Sequence, residues 1–145
     1  MPLKIKASGL DRLHKSLSQD FKKVISRGFK RIAEVVKQVA KAEVPFVSGK
    51  LQRGISKTPS GEFGWHIYER SKHGQFIREG TVPHIIRPRK ALALDWPGLP
   101  HPVAWAEHPG IRRLNPYPER AVTRSAHEVQ LGLNAIGEEI GNKIG

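Results

Sequence analysis

Ten large apolar residues, Leu10, Leu13, Leu17, Phe21, Val24, Ile25, Ile32, Val35, Val36 and Val39, recur at steps of three and four in the first third of the chain. Only a helix gathers such positions onto one face. Ser8 and Asp11 have the spacing of a helix start signal. Val44 precedes Pro45, whose ring disfavours helical backbone in the residue before it. The pattern predicts a helix over about 9–43, with Lys15, Lys22, Lys23, Arg27, Lys30, Arg31, Lys37 and Lys41 on the opposite face. So long a helix is expected to project, or to pack beside copies of itself. Gly28 lies inside it, at a cost of about 1 kcal/mol against alanine. It is expected to be tolerated, to kink the helix, or to admit a close neighbour.

A second helix is predicted over about 116–141. Asn115 suits its N-cap and Pro116 its first turn. Val122, Ala126, Val129, Leu133, Ile136 and Ile140 keep helical spacing, while Gly132, Gly137 and Gly141 weaken the tail, with fraying expected past Gly137. Between the helices, "EFGWHIYE" alternates, with Phe63, Trp65 and Ile67 on one face, and reads as a half-buried strand. "QFIREG" reads as a helical turn or a strand; "HIIRP" and "ALALDW" are strand candidates. "WPGLPHP" and "HPG" are turn signals. Pro88 breaks its run and makes 81–110 a long hairpin or loop with an exposed edge. The order is helix, strands, helix: an α+β fold in which two helices pack on a small, mainly antiparallel sheet with an extended hairpin. At 145 residues a single domain over 1–145 is expected, with its β region at about 50–112.

Composition narrows the function classes. The formal charge is +12 and the chain has no cysteine, so neither a disulfide framework nor a thiolate metal site is possible. The charge is uneven. Residues 1–53 carry 13 Lys/Arg against 4 Asp/Glu, residues 54–124 carry 11 against 6, and residues 125–145 carry 1 against 3. No stretch approaches the roughly 18 apolar residues of a membrane helix, and no leader is evident. A soluble protein, held in the cytoplasm until it meets its partners, is expected.

Catalytic patterns are missing. The seven histidines, His14, His66, His73, His84, His101, His108 and His127, include no pair at metal-ligand spacing. Glu69, Glu79 and Glu107 read as ion-pair partners. "VSGKLQRG" lacks the spacing of a phosphate-binding loop. No catalytic, metal or cofactor residue is expected, and the protein is read as no enzyme. The surplus of cations leaves a basic, non-specific nucleic-acid-binding protein as the alternative. Few aromatics are interleaved with the cations, so no stacking platform is indicated.

Five short motifs occur in one order. They are Pro45, Ser48, Gly49, Leu51 and Ile55; Phe76 with Glu79, Gly80 and Thr81; the basic strand Ile86, Arg87 and Pro88; His108, Pro109 and Gly110; and Asn115, Pro116, Tyr117 and Ala121 opening the last helix. Together they resemble the tail-completion, or neck, family of tailed bacteriophages over about residues 8–140. The 95–110 segment is richer in Pro and Trp than that family's pattern. The resemblance implies a virion protein without enzymatic activity. It implies a homo-oligomeric ring, commonly of six subunits or a multiple of six, at the head–tail junction. The implied partners are the portal-side connector or head-completion protein, the tail terminator or tail tube protein, and genomic DNA passing through the lumen. Residence is implied in the host cytoplasm during assembly and in the virion neck afterwards, with no membrane. Within "FIREGTVPHIIRPRKAL", Gly80 is expected to permit a turn that Thr81 closes through its hydroxyl. Glu79 is expected to pair with Arg78, Arg87 or a neighbouring subunit. Ile85 and Ile86 are expected to face opposite sides, one inward and one toward a partner. Arg87, Arg89, Lys90, Arg112 and Arg113 are the candidates for a subunit interface or a DNA-facing surface.

Overall fold

A computed structural model describes residues 3–5, 18–45, 49–112 and 114–144. The fold is α+β. Two compact units divide the chain: Met1–Ser71 with Pro116–Gly145, here the helix–sheet unit, and Lys72–Asn115, here the inserted unit. The sequence suggested one domain, and the second unit coincides largely with the hairpin read at 81–110.

In the helix–sheet unit, β1 (Leu3–Ile5), β2 (Ile55–Ser60) and β3 (Gly64–Glu69) form an antiparallel sheet in the order β1-β3-β2. Leu3 stands opposite Ile67, and β2 runs from Ile55 opposite Glu69 to Ser60 opposite Gly64. The β2–β3 turn uses Gly61 at a φ of 75°. Pro59 is tolerated because β2 is an edge. Neither β1 nor β2 was read as a strand from the sequence: β1 is three residues long, and "ISKTPS" is mostly polar.

α1 (Gln19–Glu43) packs against β2, β3 and α4 (Tyr117–Ile144). It begins ten residues later than predicted, because Ser18 is extended at φ −62° and ψ 157°. Ser8, Leu10, Asp11, Leu13 and Leu17 lie outside the described residues. Of the rest of the stripe, Val24, Ile25, Ile32 and Val36 are buried, Phe21 and Val39 half-buried and Val35 exposed, and Phe29, Ala33 and Ala40 complete the buried face. α1 ends at the residue before the Val44–Pro45 pair, as expected. α2 (Lys50–Gly54) follows, and the Gln52 side chain donates to the Lys41 carbonyl at 3.1 Å, satisfying an orphan acceptor of the last turn of α1.

The α1–α4 contact is reciprocal. A Cβ on Gly28 would overlap Ile136, and a Cβ on Gly132 would lie 2.5 Å from Ile32 Cγ1. Each helix therefore sets an isoleucine over a glycine of the other. Of the three readings of Gly28, the close neighbour is the one found. The buried face of α4 is Tyr117, Ala121, Ser125 and Ile136. This corrects the predicted stripe: Val122 is 48% exposed and Leu133 40%. Small residues, not the bulky ones, let the two backbones approach. Ion pairs close the ends. Arg120 and Arg124 hold the Glu43 carboxylate at 2.8 and 2.5 Å, and Arg27 pairs with Glu139. Anchored through Ile136 and Glu139, α4 runs to Ile144 instead of fraying past Gly137.

Candidate interaction surface on the inserted unit

The inserted unit contains α3 (His73–Glu79), β4 (His84–Ile86) and β5 (Ala106–His108). β4 and β5 pair antiparallel, and the Thr81–Ile111 bridge continues their register. Farther out, Leu94 and Val103 exchange backbone bonds of 2.7 and 2.9 Å around a Trp96–Leu99 turn. Pro97 and Gly98 (φ 102°) occupy the positions that suit them in such a turn. "ALALDW", expected as a strand, contributes only this single bridge at Leu94, since Pro97 closes the run.

Residues from three of the sequence motifs meet at one place in this unit. The Gly80 N–H donates to the Phe76 carbonyl at 2.8 Å and ends α3. Gly80 has a φ of 77°, and a Cβ there would lie 2.5 Å from the Ile111 carbonyl oxygen. Only glycine fits that position without strain. Thr81 bridges Ile111 through both backbone bonds, and its Oγ1 also accepts from the Ile111 N–H at 3.0 Å. Gly110 has a φ of 77°, and its Cα passes so close to Thr81–Pro83 that a Cβ would lie 2.8 Å from the Val82 carbonyl carbon. His108 Nδ1 accepts from the Gly110 N–H at 3.0 Å, which closes the His-Pro-Gly turn around Pro109. The Asn115 N–H donates to the Ile77 carbonyl at 3.1 Å. Pro116, next in the chain, takes the N-cap place that the sequence reading gave to Asn115: its carbonyl accepts from the Arg120 N–H at 3.1 Å. The Glu79-Gly80-Thr81, His108-Pro109-Gly110 and Asn115 motifs thus build one knot of backbone bonds.

The side chains outside this knot are exposed or half-buried. Gly74 is the one buried residue described in this unit. Ile85 is 53% and Ile86 38% exposed, so neither points inward, contrary to expectation. A two-stranded ribbon has no second layer to cover either face. Trp96, Trp105 and Leu92 are exposed as well. Pro88 follows β4 and is half-buried, while Arg87, Arg89, Lys90 and Arg112 are exposed. Among the described residues these four cations have no carboxylate partner. Glu79 pairs with neither Arg78 nor Arg87 and accepts from Gln75 of its own helix at 3.0 Å. Arg113 lies outside the described residues. His84 and His108 stack with centroids 4.9 Å apart, and His84 Nδ1 lies 3.0 Å from the Val82 carbonyl oxygen.

The first motif belongs to the helix–sheet unit and is structural. Gly49 is left-handed at a φ of 69°, and its carbonyl accepts from the Arg53 N–H at 2.9 Å to start α2. Leu51 and Ile55 are core, and Pro45 is half-buried. Ser48 lies outside the described residues. Where the chain leaves and returns, the Tyr117 hydroxyl donates to the Glu69 carboxylate. Beside them a cavity of about 30 Å³ is lined by Ala40, Ile55, Ile67, Tyr68, Glu69, Tyr117 and Pro118. Small-molecule sites occupy roughly 300–1,000 Å³. A wider, open depression at Gln38, Lys41, Ala42, Gln52 and Arg53 presents cations and amides, with no carboxylate, hydroxyl or imidazole. Among the described residues there is no group of three or more His, Asp or Glu placed to hold a metal ion, and no helix long and apolar enough to cross a membrane.

One carboxylate is electrostatically marked. Glu34, bonded to Lys37 at 2.6 Å and Lys57 at 2.8 Å, has its pKa lowered from an ordinary 4.5 to about 2, chiefly by Lys37 and then by Lys57 and Gln38. Lys57 also lies over Trp65, 4.8 Å from the ring centroid. This cluster joins α1 to β2.

Comparison with known proteins finds no family model, no curated protein and no solved structure that matches this chain.

Proposed function

We propose that the protein is a structural component of a tailed-phage virion. It is a tail-completion or neck subunit that assembles with its own copies into a ring at the head–tail junction, between the connector and the tail. The observation that carries this reading is the inserted unit. Its backbone is pinned by the family-like glycine turns, and its apolar residues Ile85, Ile86, Trp96 and Trp105 are left uncovered. Exposed apolar residues gathered on one unit mark a surface that another molecule covers. A knot that spends its glycines and prolines on shaping such a surface suits docking. The cations at Arg87, Arg89, Lys90 and Arg112 supply the rim, where charge guides association and selects partners.

The test is incorporation. Purified particles are expected to contain the protein at the neck in a fixed copy number. Particles assembled without it are expected to be filled heads lacking tails. A protein that stays monomeric and never enters particles contradicts the reading. Charge reversal at Arg87 and Arg89 together is expected to leave the monomer folded and to weaken tail attachment.

The same unpaired cations favour a second reading, a basic protein that binds nucleic acid without sequence preference. A salt titration of duplex binding separates the two. Submicromolar binding at physiological salt with a steep salt slope favours the second.

A further inference from the structure

The inserted unit carries a histidine pair that the proposed function does not use. His84 on β4 and His108 on β5 are register partners, and their rings stack with centroids 4.9 Å apart. Each ring is also bonded to the backbone of its own strand. The Gly110 N–H donates to His108 Nδ1 at 3.0 Å. Only a ring nitrogen without a proton accepts, so neutral His108 carries its proton on Nε2. His84 Nδ1 lies 3.0 Å from the Val82 carbonyl oxygen. A carbonyl has nothing to donate, so His84 carries its proton on Nδ1. The two neutral rings are opposite tautomers.

These bonds sit where the ladder between the strands is interrupted. Thr81 and Ile111 exchange both backbone bonds, and the same register sets Pro83 across from Pro109. Neither proline has an N–H, so that step of the ladder has no bond to make. The stack spans the gap, and the ring bonds pin Val82 and Gly110 on its two sides. Alternation puts Val82, His84 and Ile86 on one face with Ala106, His108 and Gly110. Glu107 and Arg87 take the alternate positions and face away, and Arg112 lies past the Thr81–Ile111 bridge. Among the described residues β4 and β5 pack chiefly on each other. Neither strand puts a carboxylate on the histidine face.

We propose that His108 is a proton-sensitive latch on the His-Pro-Gly turn. In the neutral ring, Nδ1 accepts from Gly110 and the turn is closed. A proton taken from solvent onto Nδ1 removes the acceptor and leaves the Gly110 N–H facing another N–H. His84 takes its second proton on Nε2 and keeps its bond to Val82, so the two rings respond differently. With both charged, the stacked cations repel and no carboxylate on their face offsets them. Gly110 passes against Thr81–Pro83, so opening the turn loosens the Thr81–Ile111 bridge beside it. Imidazoles make this change between about pH 5 and 8. The face bearing Val82 and Ile86 is therefore fixed in neutral solution and loosened in acid. The pair does not suit a metal ion. His108 could offer Nε2 only by moving its proton to Nδ1, which breaks the same Gly110 bond. The latch is a property of the single chain and stands or falls apart from the function proposed above.

Nuclear magnetic resonance of the full chain tests it. At about pH 7.5, where imidazoles are mostly neutral, ring-nitrogen spectra are expected to show His108 protonated on Nε2 and His84 on Nδ1. Between that pH and about pH 5, exchange protection relative to the unfolded chain is expected to fall tenfold or more at Gly110, Thr81 and Ile111, with α1 amides unchanged as the control for folding. His108→Phe keeps a stacking ring without the acceptor, and is expected to show low protection at Gly110 at both pH values. His84→Phe is expected to retain the pH response, since the acceptor remains. A His108 protonated on Nδ1 in neutral solution overturns the proposal, as does equal protection at both pH values in the unmodified chain. A pH response that survives in His108→Phe, or that is lost in His84→Phe, takes the switch away from His108 and equally overturns it.

Discussion

The helix–sheet unit and the inserted unit are held by different physics. The first buries Val24, Ile25, Phe29, Ile32, Ala33, Val36, Ala40, Ile67, Ala121 and Ile136 between two helices and a sheet. The second has, among its described residues, no buried side chain larger than the hydrogen of Gly74. Its conformation comes from backbone bonds at Gly80, Thr81, Ile111 and Asn115, and from turns at Gly80, Gly98 and Gly110 whose positive φ glycine adopts without strain. A core stabilises by removing apolar area from water, at about 25 cal/mol per Å². A knot of backbone bonds contributes little net free energy per bond, on the order of 1 kcal/mol, while specifying geometry. The first arrangement is a packed core. The second is a shaped surface whose large apolar residues are exposed. The proposed function uses the unit without a buried core, since binding surfaces are commonly carried by such segments.

Perturbations of the two units should differ in reach as well as size. Phe29→Ala, at a position 6% exposed, is expected to lower global stability by about 3–5 kcal/mol in urea unfolding. Gly28→Ala gains up to ~1 kcal/mol of helix propensity, yet it forces a methyl into Ile136. The net expected loss is about 1–2 kcal/mol, as for other overpacked cores. Combined with Ile136→Ala it should cost less than the two single changes added together, since the removed side chain makes the room. Gly110→Ala strains a φ of 77° and drives a Cβ into Val82 and Pro83. Its effect should stay local: faster amide exchange at Thr81 and Ile111, with the main unfolding midpoint unchanged. Glu34→Gln is expected to cost under about 1 kcal/mol, because its side chain is 42% exposed and its ion pairs are screened. The pH sign follows from a folded pKa of about 2 against an ordinary 4.5. The stabilisation is present in full above about 4.5 and is lost as pH falls toward 2, so the unmodified chain and the variant should converge in stability in acid.

What was legible in the sequence divides along the same line. Large apolar residues at regular spacing gave away α1, β3 and the existence of α4. They misled over which face of α4 is buried. Ala121, Ser125 and Gly132 carry little hydropathy, and close packing uses them for that reason, while Val122 and Leu133 look like core and stand exposed. The N-terminal limit of α1 was overrun because Leu10, Leu13 and Leu17 continue its period, and period alone does not show the extended backbone at Ser18. The glycine and proline motifs were readable as turns, but the Thr81 hydroxyl, expected to close its own turn, accepts instead from Ile111, thirty residues on. Their convergence was not, because backbone bonds between residues 80 and 110 leave no pattern in side-chain hydropathy. Ile85 and Ile86 failed as an inward–outward pair, since a two-stranded ribbon has no inside.

Amide hydrogen exchange, followed residue by residue on the isolated protein and on its assembled form, addresses the contrast most directly. In the isolated protein, amides of β4 and β5 are expected to exchange at least a hundredfold faster than those of α1 around Ala33 and Val36. On assembly they are expected to slow by tenfold or more, with α1 unchanged. Inserted-unit amides as protected as α1 in the isolated chain, or equally fast in both forms, would contradict the view that this unit is a surface completed by its partners.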